Sequence, residues 1–281
     1  MSTTTSDEKQ SLSAQLPDET LTGWLRDMML IREFELRTMS AYQQAKIGGF
    51  CHVYIGQEAV AVGCFASVED DDPVITAYRD HGQAIARGMS PDACMSEMFG
   101  KLEGCAKGKG GSMHMFDRPN WLFGGHGIVG AQTPLGAGLA FGIKYHLEVL
   151  GDGKKKVCLC FLGDGALNQG AFHEALNLAG LFDLPVIYVV ENNRYSMGTA
   201  IERGTTMADD LGKKAAAYGI EYREIDGLNI MELYDGFKPF VDAIRDEQRP
   251  GFVNLETYRY QGHSMSDPQK YRTKEEVAEI K

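Results

Sequence analysis

Apolar positions along the chain repeat with two periods, and the change from one to the other divides it. Between about residues 20 and 46, Leu21, Trp24, Leu25, Met28, Met29 and Phe34 recur every three or four positions. That spacing predicts an amphipathic helix, stopped by Gly48-Gly49. A second helix is expected from Gln57, carrying Ala59, Val60, Val62 and Phe65. The acidic run Glu69 to Asp72 before Pro73 reads as a turn, and Val74–Ala77 as a short strand. Ser90-Pro91 has the form of a helix start, with serine as cap and proline in the first turn. The glycine-rich stretch 104–112 predicts a flexible loop.

Beyond residue 157 the pattern is regular. Val157–Leu162 and Pro185–Glu191 are continuous apolar runs, as in strands buried on both faces. A helix over 169–181 separates them. Helix over 206–218, strand over 220–225, a helix over 230–247 opened by an Asn229/Glu232 capping box, and a strand from Phe252 to Tyr258 follow. Thr273 and Glu276 repeat the capping pattern after a loop at 261–272. Strands alternating with helices predict an α/β fold, a parallel sheet with helices on both faces. We expect a flexible N-terminal tail over residues 1–19 and one α/β domain over 20–281.

The chemistry concentrates where two buried strands end. The first closes in Gly163-Asp164-Gly165 and the next in Glu191-Asn192-Asn193, with twenty-six residues between Gly165 and Asn192. A right-handed crossover brings both strand ends to the same crevice. Aspartate and asparagine oxygens there suit magnesium, which completes its shell with water and phosphate oxygens. The glycines allow close backbone approach, and the following helix start offers N–H groups to an anion.

The segment from Gly163 to Asn193 is similar to the thiamine diphosphate fingerprint. The stretches GFCHVYIGQEA (49–59), TAYRDHG (76–82), GKGGSMHMF (108–116), GIVGAQTPLGAG (127–138) and YRYQGHSMSDP (258–268) extend the likeness. Together they resemble the alpha chains of thiamine-diphosphate-dependent 2-oxo acid dehydrogenases, of the pyruvate dehydrogenase type, from about residue 20 onward. The resemblance implies a thiamine diphosphate-binding fold and Mg2+ held by Asp164, Asn193 and the backbone carbonyl of Tyr195. It also implies diphosphate contacts from Tyr78, Arg79, Gly165 and Ala166, and aminopyrimidine contacts from the backbone at Gly127 and Val129. His52 and His263 match active-site histidines, His263 also near the cofactor; His126, His146 and His173 read as structural or solvent-facing. Ser264 matches a position phosphorylated in mitochondrial relatives. The activating glutamate is expected on a separate beta chain, so neither Glu58 nor Glu174 is assigned to it. The implied partners are that beta chain in a two-alpha two-beta assembly, a lipoyl acyltransferase component and a small 2-oxo acid. Members of the family usually continue beyond the point matching Lys281, so a shortened chain is expected.

Composition narrows the field further. The formal net charge of −11 argues against nucleic acid and anionic membrane surfaces, which both call for a basic patch. Six cysteines without a CxxC pair read as reduced thiols, mostly small buried apolar groups. The first twenty residues lack the arginines of a transit peptide and the apolar stretch of a signal peptide, and no run has membrane-spanning length. A bacterial-type cytoplasmic location is expected, or an organelle matrix if a transit peptide is missing.

Rival readings exist. Gly125 to Gly130 fits GxGxxG, but no buried strand is expected before it and no acidic ribose partner follows. In isolation Arg79 reads as the partner of Asp80 in a surface ion pair. A non-catalytic assembly subunit, or the alpha chain of a branched-chain 2-oxo acid or acetoin dehydrogenase, remains the alternative.

Overall fold

Six strands, all paired in parallel, form the centre of the molecule. The computed structural model describes residues 11–281. A 3₁₀ turn at Ser13–Gln15 leads into α1 (Asp18–Gln43), followed by α2 (Glu58–Ala66), β1 (Val74–Ala77), α3 (His81–Ala86) and α4 (Pro91–Met98). Then come β2 (Leu122–His126), α5 (Gln132–Tyr145), β3 (Cys158–Gly163), α6 (Gly170–Leu181) and β4 (Val186–Asn192). The hairpin β5 (Tyr195–Ser196) and β6 (Thr199–Ala200) precedes α7 (Ile201–Gly204), α8 (Gly212–Ala216), β7 (Glu221–Asp226), α9 (Ile230–Glu247), β8 (Gly251–Glu256) and α10 (Lys274–Ile280). The sheet order is β2-β1-β3-β4-β8-β7.

The expected apolar runs became β3 and β4, whose alternate residues feed two cores. Leu159, Phe161, Ile187 and Val189 pack on one face with Ile31, Phe34, Val60 and Phe237 from α1, α2 and α9. Cys158, Cys160, Leu162, Tyr188 and Val190 pack on the other, with Ala140 of α5 and Phe172, Ala175 and Leu176 of α6. Burying one such large side chain stabilises by about 1.5–3 kcal/mol. All six cysteines are free, and five are buried.

The sheet also fixes where a ligand goes. From β1 the chain passes outward to β2, then crosses back to β3 on the far side of β1. That reversal opens a crevice beyond the carboxyl ends of β1 and β3.

Several expectations change in detail. In α1 the buried face is Trp24, Ile31, Phe34, Glu35, Thr38 and Ala41, while Leu25 and Met29 face outward. The helix ends at Gln43, where Ala45 adopts positive φ, before the two glycines. Residues 1–10 of the expected tail lie outside the described residues. Further on, the Ser13 backbone and hydroxyl donate to the Asp235 carboxylate at 2.6 and 2.7 Å. The helix expected over 206–218 is only α8, with turns before it. The caps behave as expected at Ser90, Asn229 and Thr273, whose side-chain oxygens accept the backbone N–H of Ala93, Met231 and Glu276. Glu232, however, accepts from the Asn229 side-chain amide at 2.8 Å, and Glu276 accepts instead from the Tyr195 and Tyr258 hydroxyls.

The glycine-rich loop is pinned. The Glu97 carboxylate accepts N–H bonds from Ala106, Gly108, Gly110 and Gly111, at 2.6–3.2 Å. Burial works to raise its pKa, yet these four donors outweigh it and hold the carboxyl below its usual value. Finally, a strand does precede the GxGxxG segment: β2 ends at His126. Its neighbour in the sheet is β1 and not the strand that follows in sequence, so the dinucleotide arrangement is still absent. No described helix is long and apolar enough to cross a membrane.

Candidate active site

Five strands deliver loops to one cavity of about 220 Å³ at their carboxyl ends. Beyond β1 lie Tyr78 and Arg79; beyond β2, Val129 and Gly130. Asp164, Gly165 and Ala166 follow β3, Glu191 and Asn193 close β4, and Arg259 and His263 come from the loop after β8. Tyr195, on β5, lines it too. A wider groove of about 840 Å³ adjoins, lined by His52, Gly127, Ile128, Ser264 and Ser266. Tyr78, Val129, Met197 and His263 border both spaces. Every site residue expected from the sequence therefore faces one continuous depression.

β3 and β4 run in register from Cys158↔Val186 to Gly163↔Glu191, so Asp164 and Asn193 leave adjacent strands at the same end and both line the cavity. A 3₁₀ turn at Asp164–Asn168, absent from the sequence expectation, lies between the Gly163-Asp164-Gly165 corner and α6. Close packing explains the glycine: a Cβ on Gly165 would stand 2.2 Å from the Ser196 hydroxyl. That hydroxyl donates to Asp164 Oδ2 at 3.2 Å. Burial raises the Asp164 carboxyl to about 6 despite this bond and the nearby Arg259.

Arg79 is buried, and it does not pair with Asp80. Its terminal nitrogens donate to the Val53 carbonyl (2.9 Å) and the His263 carbonyl (2.7 Å), tying together the loops that carry His52 and His263. Asp80 accepts instead from the Met115 N–H, and its desolvated carboxyl rises to about 7.

His52, Tyr78 and His263 form a ring cluster where cavity and groove meet. The His52 centroid lies 4.6 Å from Tyr78 and 5.1 Å from His263. Both histidines bury an Nδ1 atom that has no protein partner. Burial first, and the Arg79 charge second, lower His52 to about 2 and His263 to about 3. Both rings are thus neutral near pH 7. Their folded pKa values lie below the unfolded value of about 6.5. The unfolded chain therefore binds more protons in between, so their contribution to stability is whole above that pH and is lost as pH falls toward 3. In an NMR titration, the His52 and His263 ring signals should stay fixed from pH 8 to 5. Movement near 6.5 would mean that water reaches both rings freely.

Two participants had not been singled out. Arg259 is fully buried; one terminal nitrogen donates to Asn193 Oδ1 (3.1 Å) and to the Tyr195 carbonyl (3.0 Å), the other to the Met197 carbonyl and the Tyr271 hydroxyl. Glu191 accepts from Tyr54, Gln57 and Gln83, and burial raises its carboxyl to about 7. A charged residue closing an apolar strand was the available signal for Glu191; nothing local marks Arg259. The residues set aside stay apart. Glu58 pairs with Arg32 on another face, Glu174 is exposed, and His126, His146 and His173 bond to Thr76, Asp152 and Tyr218.

Parallel strands opening on a cavity at a reversal of strand order, with an acidic and an amide side chain just beyond the ends of adjacent strands, define an α/β protein that holds a small ligand at its strand ends. Residues 26–281 match the Dehydrogenase E1 component family, and the chain belongs to it. Membership implies thiamine diphosphate as cofactor. Relatives include "Pyruvate dehydrogenase E1 component subunit alpha" of Rickettsia typhi, 50% identical over 91% of this chain and 76% of the relative. The protein of the same name from Rhizobium meliloti is 47% identical over 91% and 72%. The somatic mitochondrial form from Bos taurus is 45% identical over 92% of this chain and 64% of its own length.

Proposed function

We propose that this chain is the alpha subunit of a pyruvate dehydrogenase E1 component. It acts with a beta chain in a two-alpha two-beta assembly and delivers the acyl unit to a lipoyl group on an acyltransferase component. The names of the relatives support pyruvate as substrate and the place in a multienzyme complex. The α/β body over residues 20–281 is the proposed working unit, and a cytoplasmic location is proposed with it.

One observation carries the cofactor reading. Two oxygens suited to a metal, Asn193 Oδ1 and the Tyr195 carbonyl, converge on a single buried cation, the Arg259 guanidinium, beside the Asp164 carboxylate. Such a set attracts positive charge and fits Mg2+, which prefers one or two carboxylates, neutral oxygens and phosphate. The proposed ligands are all hard oxygens, the kind that suits magnesium. When bound, thiamine diphosphate supplies the electron sink that makes loss of carbon dioxide from a 2-oxo acid feasible. Asp164, Asn193 and Tyr195 hold the metal. Tyr78, Arg79, Gly165 and Ala166 hold the diphosphate, and Gly127 and Val129 meet the aminopyrimidine through their backbone. Neutral His52 and His263, whose rings border the groove, steady developing charge on the reacting carboxylate and carbonyl or pass a proton.

The test is oxidative decarboxylation by the chain co-purified with its beta chain, with thiamine diphosphate, Mg2+ and an artificial electron acceptor. Pyruvate should be turned over in preference to 3-methyl-2-oxobutanoate. The reverse preference would transfer the proposal to branched-chain acids. A well-assembled complex inert toward both would overturn it.

A further inference from the structure

Asn193 can act as a cation ligand only if its amide is turned the right way. Its oxygen faces the cavity, accepting from Arg259 at 3.1 Å and from the Tyr195 N–H at 3.4 Å. Rotated by half a turn, the same side chain would present an NH2 group to a divalent cation, which it would repel. A chain of buried groups continues from it along the cavity wall. Asn193 Nδ2 donates to Gln57 Oε1 at 3.1 Å, and Gln57 Nε2 donates to Glu191 Oε1 at 3.3 Å. Tyr54 and Gln83 donate to that same glutamate oxygen, the latter at 2.9 Å.

The direction of each link follows from the last. Oε1 of Glu191 receives three donors, so it acts as an acceptor whether or not the carboxyl carries a proton. Gln57 must therefore turn its NH2 toward Glu191 and its oxygen toward Asn193. Asn193 must then give its NH2 to Gln57 and its oxygen to the cavity. We infer that Glu191, acting through Gln57, reinforces from the NH2 side the orientation that Arg259 and the Tyr195 N–H favour at the oxygen, and that both Glu191 and Gln57 are positioning residues for metal binding. Gln57 stands at the start of α2 and Glu191 near the end of β4, so two separate elements meet to set one side-chain rotamer. The inference rests on Asn193 being a cation ligand, which is the cofactor reading above.

Partners that orient a metal ligand from behind typically change affinity by about 10–100-fold when removed. The experiment is Mn2+ binding to the alpha–beta complex in the presence of thiamine diphosphate, read from the electron-paramagnetic-resonance signal of free Mn2+. Gln57→Met fills the same space without donor or acceptor and should weaken Mn2+ binding within that range. Glu191→Leu should do likewise. Glu191→Gln keeps an acceptor oxygen against Tyr54, Gln83 and Gln57, so it should bind Mn2+ nearly as the unaltered protein does. Should Glu191→Leu fail to fold, the contrast between Gln57→Met and Glu191→Gln still decides. Asp164→Ala, run alongside, separates the two layers. If it loses Mn2+ while Gln57→Met does not, the relay is wrong and the ligand assignment stands. If Asp164→Ala binds Mn2+ normally, the metal site itself lies elsewhere and the relay falls with it. Equal losses in Glu191→Gln and Glu191→Leu would show that charge, not acceptor geometry, is what Glu191 contributes.

Discussion

Asp164→Ala is expected to cut pyruvate turnover by about 10²–10³-fold or more, because a bound metal contributes several kcal/mol at about 1.4 kcal/mol per tenfold. Asp164 is the one carboxylate among the three proposed ligands; Asn193 and Tyr195 offer only neutral oxygens. Its burial makes the effect large. The cavity holds the carboxyl out of water, where a cation satisfies it better than the Ser196 hydroxyl, its one side-chain donor, can. Alanine should leave the fold little disturbed, since Asp164 sits in a short turn after β3 and its side chain is not part of the strand pairing. Cofactor binding should fall with activity, measured as Mg2+-dependent retention of thiamine diphosphate by the assembled complex. A variant that keeps both full turnover and the same Mg2+ requirement would remove Asp164 from the metal site.

The largest stability effect is expected at Gly56. Its φ is +105°, a region that favours glycine, and a Cβ there would lie 2.2 Å from the Tyr258 carbonyl and 3.0 Å from the Tyr260 nitrogen. Both obstacles are backbone and neither can swing aside. Strain at such a φ and overpacking each cost about 1–3 kcal/mol, so Gly56→Ala should lose about 3 kcal/mol or more, roughly 10 °C in Tm for a chain of this size. Gly48→Ala, at an exposed position with nothing nearby and no positive φ, is the matched control and should stay close to wild type. The close approach at Gly56 has a functional side. The Tyr260 N–H donates to the Ile55 carbonyl, which laces the segment carrying His52 to the segment carrying His263. Activity in Gly56→Ala should therefore decline below its melting range as well. Equal melting curves for the two variants would show that the segments can part without cost.

The buried strands and their polar ends were legible because burial on both faces leaves an unbroken apolar run, and a run ending in Gly-Asp-Gly or Glu-Asn-Asn marks the exit to solvent. Asp164 and Asn193 could be read from that alone. Arg259 could not: its partners at 193, 195, 197 and 271 are spread along the chain, and a buried arginine looks in sequence like a surface one. Glu97 escaped for the same reason, since it fixes a loop ten residues away whose glycines suggest freedom. In α1 the apolar stripe is broad enough to suggest two faces. Burial of Glu35, which accepts the Tyr54 N–H and pairs with His81, decided which one turned inward. The expectation about β2 failed because the strand is short and glycine-rich, and its β-structure comes from pairing with β1 rather than from its own residues.

The position of β8 between β4 and β7 bears on how the chain is made. β8 leaves the ribosome after the five strands it joins, yet it fills an interior place in the sheet. Until residues 251–256 emerge, the outer edge of β4 lacks its neighbour and β7 has no strand to join. A nascent chain paused in that interval exposes an open, apolar edge, the kind of surface that recruits other chains. The half-built sheet thus depends on shelter during translation, and its ligand cavity cannot close before β8 and the loop after it have been added.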